Sequence, residues 1–252
     1  MTLASRTVTV PLTSGSYTRS MNVPTATTFS IANNGKGRTP MRLGTGVYGY
    51  SGSIAFDLTA DMRNFMLDGD FFERDERFSI TMCDGDGQIT ASRCAWSSAS
   101  ISGNADQLVT GSISFNSCNG YHEEVELKDA NSRDYQADSS LQKYWQYGND
   151  GVTSFTMSFT RSVTDVYMNE TDLLTPSFLR VGALSADVNV TCWHDWKYHR
   201  TIHLGNKKIT FNSSSYIKEK GYSVQGLEGN SLKTYTLSAI GLTSRSDLFD
   251  VD

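Results

Sequence analysis

Apolar and polar residues alternate along much of this chain, and the alternation predicts strands. The clearest run is Ser51–Thr59, where Ile54, Phe56 and Leu58 point one way and Ser53, Ala55 and Asp57 the other. Arg6–Pro11 and Thr28–Ala32 read in the same style, and Phe78–Met82 is a further strand ending at the turn signal Asp84–Gly87. Trp96–Ser102, the Gly103–Asp106 break and Gln107–Phe115 form a predicted β-hairpin. The period changes once. In Thr59–Leu67, Met62, Phe65 and Met66 recur at helical spacing behind Thr59 as cap, which predicts one short helix from Ala60 to Leu67 that stops before Gly69.

The pattern also recurs at a distance. TPMRLG (Thr39–Gly44) returns as TPSFLRVG (Thr175–Gly182), with SGSIAFDLT following the first and SADVNVTCW (Ser185–Trp193) the second. The hairpin Ser100–Ser114 returns as Ser223–Ser238. Leu108, Thr110, Ile113 and Ser114 then align with Leu232, Thr234, Leu237 and Ser238. Two all-β domains follow as the expectation, residues 1–145 and 146–252, with the second copy shorter where the first has its helix. Tyr121–Asp150 carries seven acids and three bases and reads as a long acidic loop at the end of the first domain.

Composition narrows the class. Of 252 residues, 38% are hydrophobic, which is too many for a disordered chain, and Ser, Thr, Asn and Gly dominate the remainder. The net charge of −5 argues against a sequence-independent nucleic-acid binder, which needs a cationic face. No window of about 18 apolar residues is present to span a membrane, and Met1–Leu12 lacks the apolar core of a secretory signal. Cys83, Cys94, Cys118 and Cys192 are widely spaced, which predicts free thiols.

Candidate chemistry is thin. Cys192, His194, His199 and His203 are the best metal-like cluster, but their spacing matches no standard zinc site, so neither a metal nor any cofactor is expected. Asp84, Asp86 and Gln88 alternate as in a calcium loop without its closing glutamate, and a hairpin turn explains them better. The sequons at Asn169, Asn189 and Asn212 are expected by chance in a chain so rich in Ser, Thr and Asn. No nucleophile, base or phosphate-binding motif is present, so the chain reads as non-enzymatic.

The stretch GSIAFDLTADMRNFML, followed by FSITMCDGDGQITASRCAWSSASISGNADQLVTGSISFNS, resembles the tail-tube fold of long-tailed bacteriophages, shared with hub proteins of the baseplate. The likeness covers Gly46–Ser117 well and Arg180–Gly241 faintly, and the second copy departs by having TCWHDWKYHRTIH where the helix would be. The resemblance implies a tail-tube-like β-sandwich or barrel. It implies a virion structural protein, made in the host cytoplasm, whose copies join sheet edge to sheet edge into trimeric or hexameric rings. Other tail or baseplate proteins would be its partners, and genomic DNA would pass through the lumen without sequence-specific binding. Two such domains in one chain would let three chains make a pseudo-six-fold ring. On this reading the assembly residues are Ile54, Phe56, Leu58, Leu108, Thr110, Ile113, Phe115, Leu232, Thr234, Leu237, Lys207 and Lys208. The acids of Asp61–Asp86 and the bases of Trp193–Lys220 would meet between subunits or rings. The alternative is a carbohydrate- or receptor-binding β-sandwich, with Trp145 and Tyr147 or Trp193 and Trp196 stacking on sugars.

Overall fold

The alternation at Ser51–Thr59 builds one strand of a wide antiparallel sheet. The computed structural model describes residues 2–3, 6–22, 25–29, 40–43, 46–73, 75–83, 87–105, 107–123, 151–168, 174–193, 200–212, 217–225 and 232–252. Its first-half strands are β1 (Thr2–Leu3), β2 (Arg6–Thr7), β3 (Leu12–Asn22), β4 (Thr25–Phe29), β5 (Pro40–Leu43), β6 (Val47–Asp57), β7 (Phe78–Cys83), β8 (Gln88–Asn104), β9 (Thr110–Ser117) and β10 (Asn119–Glu123). The second half contributes β11 (Val152–Val166), β12 (Phe178–Cys192), β13 (Thr201–Leu204), β14 (Lys207–Phe211), β15 (Ile217–Gln225), β16 (Leu232–Leu242) and β17 (Phe249–Val251). Two short helical pieces interrupt them, α1 (Ala60–Met66) and α2 (Gly69–Phe72). The fold is all-β and antiparallel.

The predicted helix forms where its cap signal stands. The Thr59 hydroxyl accepts from the Met62 N–H at 3.2 Å, satisfying an amide that the first turn leaves free. Met62, Phe65 and Met66 turn into the core. After Leu67 the chain makes only the single turn of α2, which buries Phe71 and Phe72.

Eight strands lie side by side in the order β3-β6-β9-β8-β11-β12-β16-β15. Strand β8 is the pivot. Its second part, Ala95–Asn104, joins β9 and β11, whereas its first part, Gln88–Cys94, pairs with β7 and β10. The change of partners falls at Arg93, which adopts a positive φ of 53°, and beside a register shift between Trp96 and Ser98. The expected domain boundary at 145/146 lies outside the described residues. On either side of it, β8 and β11 pair directly, so the sheet runs unbroken from one half to the other.

One face of this sheet is covered. Ile54, Phe56, Ile113, Phe155, Met157, Phe159, Val188, Val190 and Leu237 share a single buried cluster with residues of α1, α2, β13, β14 and β17. Trp96 is its centre. The indole stacks on Phe71 with ring centroids 5.2 Å apart, and its Nε1 donates to the Phe71 carbonyl at 2.7 Å. Phe72 meets Phe159 edge-on at 5.2 Å and Phe249 at 5.9 Å. A four-residue helical turn from the first half is thereby clamped between both halves.

Candidate functional site

The other face of the sheet is a field of hydroxyls. Strand alternation puts Ser98, Ser100 and Ser102 of β8 on it, with Ser112 and Ser114 of β9 and Thr156, Ser158 and Thr160 of β11 beside them. The Ser100 and Ser112 hydroxyls lie 2.8 Å apart, as do those of Ser16 and Ser53, and Ser102 and Thr110 are 3.0 Å apart. On the second half Thr236 donates to the Asn189 side-chain Oδ1 at 2.7 Å, and Ser238 donates to Asp187. Three neighbouring cross-strand rows pass through Ser98, Ser100 and Ser102. Among their described side chains, charge enters only at Asp57 and Asp187.

Strand order repeats between the halves. The first half runs β3-β6-β9-β8 and the second β11-β12-β16-β15. In both, the first two strands to appear in sequence lie side by side, the fourth comes next and the third is outermost. Registers agree as well. Ile54 pairs with Ile113 and Val188 with Leu237, while Asp57 pairs with Thr110 and Thr191 with Thr234. These are the alignments that the sequence suggested, with Ile113 equivalent to Leu237 and Thr110 to Thr234. What differs is the insertion after the second strand: α1, α2 and β7 in one half, the hairpin β13–β14 in the other.

At the centre, the third strand of the first half (β8) meets the first strand of the second (β11) over seven residue pairs, from Ser98–Thr160 to Asn104–Ser154. The outer borders have no such cover among the described residues. Strand β3 pairs only with β6 and β15 only with β16. They are long borders, of 11 and 9 residues. A row of unpaired N–H and C=O groups is a template for another strand. Strand β3 is exposed from Leu12 to Ser16 and again from Thr18 to Met21, and Tyr17 is half-buried.

The residues expected to make assembly contacts sit elsewhere. Ile54, Phe56, Leu58, Ile113, Phe115 and Leu237 are buried in the chain's own core, on or beside β6, β9 and β16, each paired along both sides. Leu108, Leu232 and Thr234 are half-buried and Thr110 is exposed on the hydroxyl face. Lys207 and Lys208 belong to β14 in the covering layer. Lys207 lines a cavity of about 600 Å³ together with Asp61, Asp68 and Arg245. Members of the acidic and basic stretches thus come together within one chain.

Two members of the metal-like cluster, Cys192 and His203, are described. Cys192 is buried at the end of β12, and His203 is half-buried on β13, where burial and then the nearby Lys208 ammonium hold its pKa below the usual histidine value. His194 and His199 lie outside the described residues, as do Asp84, Asp86, Asn169, Trp145, Tyr147 and Trp196. Among the described residues no three metal-ligating side chains gather. None of the four cysteines forms a disulfide, and burial pushes the Cys94 thiol up to about 12.

Sequence reasoning passed over two features. One is β3, whose residues LTSGSYTRSMN lack apolar alternation because a border strand buries little. The other is Arg161, buried on the core face of β11 with its guanidinium 3.8 Å above the Trp96 ring. It donates to the carbonyls of Trp96 at 2.9 Å and Glu73 at 3.1 Å. Parity could have revealed it, since Phe155, Met157, Phe159 and Arg161 share one face.

No family model and no curated protein matches the chain.

Proposed function

We propose that this chain is a structural protein of a long-tailed phage tail, a tail-tube or hub subunit that closes into rings around a channel. The observation that carries this reading is the repeated strand order with one joint closed inside the chain and two borders left open among the described residues. The eight strands alternate in direction, so β15 runs opposite to β3, and copies can add in the same sense without end or close on themselves. Closure into a ring would remove both borders, which the described strands of one chain leave unpaired.

Geometry supports the hydroxyl face as the channel wall. Three copies would contribute twenty-four strands, which at a spacing of about 4.8 Å give a barrel radius of roughly 18 Å, or about 24 Å with a strand tilt near 40°. A covering layer is about 10 Å thick. Turned inward, the layer of α1, α2 and β13–β14 would fill most of that space. Turned outward, it leaves short Ser and Thr side chains around an opening wide enough for a nucleic-acid duplex. Among the described side chains of its three central rows, charge comes only from two aspartates, so these rows offer no cations to replace the counterions of DNA and suit a wall that a duplex slides past.

Negative-stain electron microscopy of the purified protein tests the reading. Rings or tubes with a central opening are the expected result. Uniform single particles of one chain's size would overturn it, and glycan binding by such a monomer would favour the receptor-binding alternative.

A further inference from the structure

The joint inside the chain specifies the joint between chains. Resting on the assembly reading above, we infer that β15 of one copy pairs antiparallel with β3 of the next in the register of the internal β8–β11 pair. The partner is a second copy of this chain, and the argument is a transfer of register through strands that are already paired. Ser102 of β8 lies opposite Thr110, and Ser223 of β15 lies opposite the equivalent Thr234, so Ser223 takes the place of Ser102. On the other side of the joint, Thr156 lies opposite Asn189, and Ser14 lies opposite the equivalent Ala55, so Ser14 takes the place of Thr156. Ser102 and Thr156 are partners in the internal joint. Ser223 of one copy is therefore assigned to Ser14 of the next.

Two further pairs follow by the same steps. The internal pair Ser100–Ser158 becomes Gly221 with Ser16, and Ser98–Thr160 becomes Lys218 with Thr18. Strand β15 has a register shift between Glu219 and Gly221. Such irregularities often protect a border. The one in β8, between Trp96 and Ser98, lies just beyond the span that pairs with β11, whereas the one in β15 lies between the assigned pairs of Gly221 and Lys218, so the joint carries one extra residue, Lys220, between its second and third pairs.

Disulfide trapping tests the register. The exposed Cys83 is first replaced by serine, and Ser14→Cys is combined with Ser223→Cys. Within one chain these positions lie at opposite borders of the sheet, about 34 Å apart at the usual strand spacing, far beyond the reach of a disulfide. Mild oxidation should give covalent dimers and a closed larger product on a non-reducing gel. The pair Thr18→Cys with Lys218→Cys should do the same, which guards against one variant failing to fold. Gly15→Cys with Ser223→Cys should give none, because a slip of one residue puts the two on opposite faces. A Cβ at Gly15 meets only ordinary contacts at 3.4 Å, so that control can fold. Oligomers that cross-link through neither designed pair, or through Gly15 instead, would overturn the register and leave assembly standing. A Cys83→Ser parent that stays monomeric before oxidation would remove the assembly reading itself.

Discussion

The two halves of the sheet share a strand order and differ in what covers them and in where their borders end. The layer over the core face consists of α1 and α2, inserted in the first half, and of the hairpin β13–β14 and β17, contributed by the second. The helix and the hairpin do the same work, because a sheet face needs only an apolar layer at the right height, whatever its period. Borders separate the halves more sharply. β8, the outer strand of the first half, is covered by β11, whereas β15, its counterpart in the second, has no cover in the described chain. Two strands with equivalent places in the order thus differ in whether another described strand of the chain lies along their outer side.

Ways to break the comparison can be ranked by expected size. The largest effect is expected at Trp96, which is shared by both halves. Trp96→Ala removes the stack on Phe71, the bond to its carbonyl and the platform under Arg161, and should cost about 3–5 kcal/mol in chemical denaturation. Both halves should unfold in one transition. Two separate transitions would show that the shared core does not couple them.

Arg161→Met should cost about 1–3 kcal/mol, because it leaves the buried Trp96 carbonyl without its donor and removes the half-buried bond to the Glu73 carbonyl. The first half also has a tight spot that the second lacks. A Cβ at Gly111 would collide with the ring of Phe56, whereas the equivalent position opposite Val190 holds Tyr235. Gly111→Ala should therefore destabilise by about 1–3 kcal/mol through overpacking, measured in the same denaturation assay. Gly69→Ala, where nothing lies within 4 Å, should change stability far less.

The smallest effects concern thiols. Exposed Cys83 should react with a maleimide in the folded protein, while Cys94, Cys118 and Cys192 react only on unfolding. Burial raises the folded Cys94 pKa from 9.0 to about 12, so between those values the unfolded chain gives up a proton that the folded chain keeps. Its contribution to stability is complete below pH 9 and is lost as pH rises toward 12. Cys94→Ala should flatten the alkaline decline of the denaturation midpoint; an unchanged slope would contradict the burial of that thiol.

Local signals were legible in the sequence wherever local chemistry decides. Thr59 capped the helix as expected, and β6 and the β8–β9 hairpin formed where alternation and turn residues indicated. The repeat was visible because paired strands keep matching apolar faces, and Ile113 and Leu237 hold the same place. Borders were not legible. Alternation tells which side of a strand faces the core, but the strand beside it is chosen by chain segments far away. Ile54, Phe56 and Leu237 carried the strongest pattern because they are the most enclosed, and that enclosure removes them from any contact with another copy. Strand β3 carried the weakest pattern, and it is one of the two strands left open among the described residues.

The central claim is that the uncovered borders belong to an assembly. Sedimentation equilibrium of the purified chain over a wide concentration range measures this directly. The account predicts a closed oligomer with a mass three times the 27.8 kDa of one chain, or a whole multiple of that trimer if rings stack. A single species of one chain's mass at every concentration would contradict it.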